Sequence, residues 1–326
     1  MTVRILLGDV RQRLADLQSD SVDCVVTSPP YWGLRDYDDD GQIGLEPDIA
    51  SHIAVMVDVF EHVRRVLKPS GTCWVNYGDC YATRAYGRML KHKDLCMVPA
   101  RFAIALQEAG WWLRSEVVWS KPNPMPESVT DRPATAHEKI FLLTKSPRYF
   151  YDASAVRVAA AESSLKRWAQ DIDAQEGSAR ANGGRKTNGR MKAVGGPAKQ
   201  RGHARRHDGL SDKWDAMSKA EQQAAGRNLR NVWTIATQPF KQAHFATFPP
   251  ALVEPCIKAG CPQGGLVLDP FGGAGTTGLV ASRLQRDAIL IELNPDYGAI
   301  ARSRIEGDEG LFATVSIEPQ NQKAEQ

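Results

Sequence analysis

The stretch that most constrains the fold lies near the end of the chain: "GGLVLDPFGGAGTTGLVASRLQRDAILIELN", residues 264–294. An apolar run leads into a glycine loop, then a helical pattern, then a second apolar run. Two short strands joined through a helix lie parallel, so this unit demands an α/β sheet. Glycines 272, 273 and 275 let the chain turn sharply and bring its backbone against a ligand. Glu292 closes the second strand, twenty-three residues after Asp269. A carboxylate at that position can accept both hydroxyls of a ribose.

The same alternation runs through the rest of the chain. Strands are predicted at "RILLGD", "VDCVVTSPP", "GTCWVNYGD" and "WWLRSEVVWSK". Ile49, Ile53, Met56, Phe60, Val63 and Leu67 recur at three- and four-residue steps, which predicts a helix over 49–68 that Pro69 and Gly71 stop. Further helices are expected at "CMVPARFAIALQEAG" and "FPPALVEPCIKAG", and "HEKIFLLTKS" and "RYFYD" read as paired strands. The pattern dissolves between residues 152 and 230. Four segments follow: 1–151, an insertion at 152–230, 231–312, and a polar, flexible tail at 313–326.

Composition bounds the function. Of 326 residues, 42% are hydrophobic and 24% charged, the balance of a soluble globular protein. The apolar runs fall short of the roughly 18 residues a membrane helix needs, and "MTVRILLGDV" is too short and polar for a signal peptide. Six cysteines without a CxxC pair suggest reduced thiols in a cytoplasmic protein and no metal site. Residues 151–230 carry sixteen Lys/Arg against nine Asp/Glu, a balance of +7 that leaves −4 for the rest of the +3 total. Gly177–His207 holds nine basic residues and no acidic one, among them Arg185, Lys186, Arg190, Arg205 and Arg206. Such a segment suits a phosphate backbone, with a solvated loop as the plain alternative.

The glycine loop narrows the cofactor. A P-loop needs GK[ST] after its glycines, which is absent. From Gly273 the residues G-A-G-T-T-G match a dinucleotide fingerprint, so spacing alone leaves NAD open. Asp269 and Phe271 discriminate. A carboxylate repels pyrophosphate and pairs with an ammonium group, and an aromatic ring packs on a flat or cationic surface. S-adenosylmethionine, which has ammonium, sulfonium and adenosine but no phosphate, fits better.

"VVTSPPYWGLRDY", residues 25–37, raises the remaining question, because two prolines break a strand and run into two aromatics. With "DPFGGAGTTG" it resembles the exocyclic-amino DNA methyltransferases, which modify cytosine N4 or adenine N6. The order, SPPY first and the glycine loop last, is similar to their circularly permuted β group. "LLGD", "WSKPNPMP", "AHEKIFLLTK" and "HFATFPPALVEPCI" match as well. The resemblance covers 4–150 and 231–297. It implies a Rossmann-like S-adenosylmethionine-dependent methyltransferase fold with a mixed, mostly parallel central sheet and an inserted basic recognition segment.

What the resemblance implies for residues is specific. Ser28 and the carbonyl of Pro29, held by Pro30, would accept the hydrogens of the target amine, so that its lone pair faces the methyl group. Tyr31 would stack on a base extruded from the duplex, with Trp32 either widening that platform or packing beneath it. Asp9 is expected beside the cofactor adenine. His244, Thr247 and Phe248 are expected at its methionine end, Asp269, Phe271, Gly273, Gly275 and Thr276 below it, and Glu292 on its ribose. Lys121, Asn123 and Pro124 would wall the base pocket, although Lys121 serves equally well on a phosphate. Serine at the head of the tetrapeptide favours cytosine N4, with adenine N6 the alternative. Methylation of RNA or of protein glutamine, or a DNA-binding relative without catalysis, are the other classes. Double-stranded DNA, a second copy of the chain and a cognate restriction endonuclease are the expected partners, in a bacterial, archaeal or phage-encoded setting.

Overall fold

β1 (Thr2–Leu7), β2 (Val22–Thr27), β7 (Leu266–Asp269) and β8 (Asp287–Glu292) form the centre of the sheet in the computed structural model. The structure describes residues 1–33, 41–86, 89–159, 221, 226–238, 248–309 and 314–319. The other strands are β3 (Leu67–Tyr77), β4 (Trp112–Ser120), β5 (His137–Thr144), β6 (Val232–Thr234) and β9 (Thr314–Glu318). Among the described residues the sheet has nine strands, in the order β6-β4-β5-β3-β2-β7-β8-β1-β9. Of these pairings, β3–β5 and β4–β5 are antiparallel and the rest parallel. The mixed, mostly parallel sheet expected from the sequence is therefore present.

Among the described residues the helices are α1 (Val10–Ala15), α2 (Ile49–Val66), α3 (Val98–Glu108), α4 (Pro250–Gly260), α5 (Thr276–Arg283) and α6 (Pro295–Glu309). Asp48 caps α2 by accepting from the Ser51 N–H at 2.8 Å, and the helix buries Ile49, Met56, Val59, Phe60 and Val63. Strand alternation divides the helices between the two faces of the sheet. On β3, Cys73, Val75 and Tyr77 join the core formed with α2 and α3. Thr72 points the other way, donating to the Gly260 carbonyl of α4 at 3.0 Å. On the first face Tyr77 stacks on Phe102 with centroids 5.1 Å apart, a contact worth about 1 kcal/mol beyond the area it buries. None of the helices among the described residues is long and apolar enough to cross a membrane.

Three expectations need correction. The helix over 49–68 ends at Val66, and β3 begins at Leu67, ahead of Pro69. The residue before a proline is pushed out of the helical region, so the extended chain starts earlier. "RYFYD" is not a strand: β5 already has β3 and β4 on its two edges, so no edge remains for it. Instead Phe150 and Asp152 donate backbone N–H groups to Ser70 and Ala259, each at 2.8 Å. The segment expected as a tail holds β9, parallel to β1. Glu318 pairs with Arg4 at 2.7 Å, and Arg13 donates to the Glu318 carbonyl at 2.7 Å. Val315 and Ile317 alternate with polar residues there, a five-residue strand signal too short to stand out.

The chain divides into two units, 1–156 with 230–326, and 157–229. In the second unit, Val158 and Arg227 exchange backbone hydrogen bonds at 3.0 and 2.8 Å. Arg185, Lys186, Arg190, Arg205 and Arg206 lie outside the described residues.

Candidate active site

The parallel strands all finish on one edge of the sheet, and antiparallel β5 starts there. From β2 the chain passes to β3 on one side, and from β7 it passes to β8 on the other. The gap between β2 and β7 is thus the topological switch point, where α/β sheets hold their ligands. Ser28 follows β2 here and Phe271 follows β7. The two ends are tied by a 2.6 Å hydrogen bond from Thr27 Oγ1 to Asp269 Oδ1.

The three loop glycines serve different purposes. A Cβ at Gly272 would fall 2.9 Å from Leu290 Cβ, and one at Gly275 would fall 2.7 Å from Ala301 Cβ. Both are glycine so that β8 and α6 can approach. Gly275 also donates its N–H to the Gly272 carbonyl at 2.9 Å, so it is a packing residue and not an open floor. Gly273 differs. Its φ of +49° is left-handed like the +76° of Gly275, but an added Cβ would meet nothing nearer than the Phe271 carbonyl oxygen at 4.0 Å. Its N–H donates to Glu292 Oε2 at 2.7 Å, and Asn294 N–H donates to Glu292 Oε1 at 2.9 Å. Each carboxylate oxygen keeps a lone pair, so the acid fits a pair of ribose hydroxyls. Burial raises the Glu292 carboxyl above the ordinary range, against the pull of those two N–H groups.

Asp269 and Thr276 turn inward. Asp269 is 1% exposed and accepts from Thr27, from the Phe271 N–H at 3.0 Å and from Thr277 at 2.7 Å. Burial pushes its carboxyl up to about 6 despite these donors. Its contacts anchor the loop to β2, where an ammonium partner was expected. Thr276 is buried, with its hydroxyl accepting from Arg304 at 2.9 Å. Phe271 is partly buried against the core, and Phe248 is partly buried just ahead of α4. His244 and Thr247 lie outside the described residues.

Around Ser28 a closed polar network forms. Ser28 Oγ lies 3.2 Å from Tyr31 Oη, which donates to Glu138 Oε2 at 2.9 Å. Asn76 Nδ2 donates to Tyr31 Oη at 2.9 Å and to Glu138 Oε2 at 2.8 Å, and lies 3.5 Å from Ser28 Oγ. Glu138 Oε1 pairs with Lys121 Nζ, which sits 4.5 Å from the Trp119 ring centre. Burial, then the neighbouring Glu138 charge, raise the Tyr31 hydroxyl well above its ordinary value. The Tyr31 ring lies 5.4 Å from that of Tyr77 and crosses Gly78, where a Cβ would fall 2.5 Å from Tyr31 Cε2. Tyr77 is itself held by buried His52 at 2.5 Å, and His52 by Glu46 at 2.7 Å.

Other expected site residues have structural partners. Trp32 is 4% exposed, donates to the Glu46 carbonyl at 3.0 Å and packs 5.0 Å from the Tyr86 ring. It supports the loop from beneath and offers no platform. Asp9 caps α1 through the Arg11 and Gln12 N–H groups and pairs with Arg11 at 3.2 Å. Its place beside the end of β8 follows from the register Leu7↔Glu292. Asn123 accepts from the Thr237 N–H at 2.9 Å and donates to its carbonyl at 3.3 Å, fixing the loop that carries Pro124. Sequence reasoning missed Asn76, Glu138, Thr27 and Thr277. "AHEKIFLLTK" had marked the neighbourhood of Glu138, but only the fold brings β5 beside β3 and Ser28.

A profile of the N6/N4 DNA methylase family matches residues 22–303. The Type II methyltransferase M.SmaI of Serratia marcescens is 38% identical over 93% of this chain and 90% of its own. M.XycI of Xanthomonas campestris pv. cyanopsidis, also a Type II methyltransferase, is 40% identical over 95% and 89%. Among solved structures, the cytosine-N4-specific PvuII DNA methyltransferase superposes with a TM-score of 0.62 at 20% identity, over 93% of this chain and 86% of that one. A putative DNA modification methylase from Thermus thermophilus, solved with S-adenosyl-L-methionine, gives 0.56 at 22% identity over 98% and 99%.

Proposed function

The chain belongs to the N6/N4 DNA methylase family, S-adenosylmethionine-dependent enzymes that methylate exocyclic amines of DNA, and we propose that its acceptor is cytosine N4 in a base turned out of the duplex. The observation that carries the proposal is the position of Ser28 and Pro29. They follow β2 at the switch point, one strand away from the glycine loop, with Thr27 tied to the foot of that loop. An amine lone pair is delocalised into the base ring, so nucleophilicity must come from geometry. Ser28 Oγ and the Pro29 carbonyl each accept one N–H, and Pro29 adds no donor that would compete. Together they hold the hydrogens out of the ring plane and aim the lone pair.

When bound, the cofactor supplies an already activated methyl group, so the chain contributes position and desolvation. Glu292 is suited to the ribose and Gly273 to a close backbone approach. The serine at the head of SPPY and the cytosine-N4 specificity of the PvuII enzyme support cytosine over adenine. The Type II relatives support a fixed recognition sequence and a restriction endonuclease that shares it. The test is to incubate unmethylated DNA with protein and S-adenosylmethionine, digest it to nucleosides and identify the product by mass. N4-methylcytosine is expected. N6-methyladenine would replace the proposed acceptor, and a product found only in RNA or protein would overturn DNA as the substrate.

A further inference from the structure

The donors and acceptors around Ser28 favour one hydrogen-bond direction. An ionised carboxylate only accepts and a lysine ammonium only donates. Lys121 Nζ occupies Glu138 Oε1, so Oε2 is left for Tyr31 at 2.9 Å and Asn76 at 2.8 Å. Tyr31 has one hydrogen, and the carboxylate, a stronger acceptor than an alcohol and nearer at 2.9 Å than Ser28 at 3.2 Å, draws it to Glu138. Its oxygen then receives the second Asn76 hydrogen at 2.9 Å and the Ser28 hydrogen across 3.2 Å. With its own hydrogen turned toward Tyr31, Ser28 Oγ presents lone pairs outward. That is the orientation an acceptor for an amine N–H needs.

Resting on the amine-methylating role above, we propose that Glu138, acting through the Tyr31 hydroxyl, is the positioning residue that sets Ser28 as an acceptor and receives the proton the amine must lose. The balance is complete. The N–C bond forms from the amine lone pair, and the C–S pair stays on sulfur. One proton leaves the now cationic nitrogen for Ser28 Oγ, the Ser28 proton passes to Tyr31 Oη, and the Tyr31 proton passes to Glu138 Oε2. A cationic amine and a carboxylate become a neutral methylamine and a carboxylic acid. Serine alone cannot end this transfer, because an alcohol that gains a proton must give one up. Tyr31 therefore has a task for its hydroxyl as well as its ring, and Glu138 is the first group on the path that can keep the proton.

Two variants test the relay independently. Tyr31→Phe keeps the ring and the Lys121–Glu138 pair but cuts the path. Glu138→Gln keeps the shape but removes the final acceptor. Single-turnover methylation of amplified, unmethylated genomic DNA with tritiated cofactor gives the rate, and titrations give cofactor and DNA affinity. Each variant is expected to slow by about 100-fold, the scale of a lost acid–base contribution, with both affinities within about threefold of wild type. The double variant is expected to be no slower than the slower single one, because a path cut twice is still one path. Rates of either single variant within about threefold of wild type, or a double variant slowed by the product of the two losses, would overturn the relay. Ser28→Ala and the wild-type nucleoside product are read in the same assay. Wild type without product, or Ser28→Ala at full speed, would count against the amine-gripping function. Wild type making N6-methyladenine would displace cytosine yet leave the relay comparison intact.

Discussion

Thr27 and Asp269 stand 242 residues apart in the chain and are joined by a 2.6 Å hydrogen bond across the gap between β2 and β7. The bond fastens the strand that delivers Ser28 to the strand that delivers the glycine loop. It also places a carboxyl in the core whose charge, among the described residues, is met by two hydroxyls and one backbone N–H. The two halves of the site are thereby held in register at some cost in stability.

That cost has a pH signature. Burial raises the folded Asp269 carboxyl to about 6 from an ordinary value of 3.8. Between those values the folded protein holds a proton that the unfolded chain has released, so stability falls as pH rises through the window. Above it the penalty is complete, about 3 kcal/mol at 1.36 kcal/mol per pH unit. Asp269→Asn removes the penalty and keeps an acceptor for Thr27. Denaturant titrations at several pH values should show wild type losing stability relative to the variant from about pH 4 to pH 6. A constant difference across that range would mean that Asp269 does not titrate there.

Replacing Ser28 with alanine deletes one of the two acceptors for the amine. Methyl transfer should fall by about 100-fold or more while cofactor affinity stays near wild type, since Ser28 belongs to the base-binding half of the site. Single-turnover rates set beside cofactor titrations make the check. Unchanged turnover would remove Ser28 from the chemistry.

Gly273 and Gly275 share one loop and should respond differently to alanine. At Gly275 the new methyl would collide with Ala301 Cβ at 2.7 Å and would also sit on a left-handed backbone of φ +76°, so Gly275→Ala should destabilise the fold by about 2–5 kcal/mol. At Gly273 the space is open, and the left-handed backbone is the whole cost, about 1–2 kcal/mol. The same open side is where the cofactor is expected, so Gly273→Ala should lose cofactor affinity by roughly tenfold or more while remaining folded. Melting curves and cofactor titrations on both variants separate the effects. Equal affinity in Gly273→Ala and wild type would move the cofactor elsewhere.

Much of this site could be read from the chain because its signals are local. A glycine loop between an apolar run and a helix, an acid closing the next strand, and prolines after a β run each announce themselves over a short span of chain. What escaped depends on strand order. Glu138 stands 107 residues from Tyr31 in sequence and 2.9 Å from it in the fold, because antiparallel β5 begins where parallel β3 ends. Trp32 was left between two roles and Thr276 was placed on the cofactor for a related reason, since a motif shows that a residue matters without showing which way it faces. Asp269 is the sharpest case. Its acidity suggested a ligand contact, and its three internal donors make it an anchor. β9 was lost among polar neighbours because a strand of five residues needs its partner, β1, to be visible at all.

The basic segment Gly177–His207 carries nine Lys/Arg and no Asp/Glu in a chain whose total charge is only +3. If those side chains neutralise phosphates, each contact releases condensed counterions, and log K against log salt steepens by about 0.9 per contact on duplex DNA. Deleting the segment should therefore weaken binding and flatten the slope by several units, an effect largest at low salt. A second variant that replaces its arginines and lysines with glutamine at constant length separates charge from tether length. Fluorescence anisotropy with a labelled duplex between about 50 and 200 mM salt reads both quantities. If contact is made, the two variants should share one shallow slope, and the glutamine variant should keep its single-turnover rate at saturating DNA. A slope equal to wild type in both would show that the phosphates are met by other residues, and that the positive charge of this stretch serves no part in holding DNA.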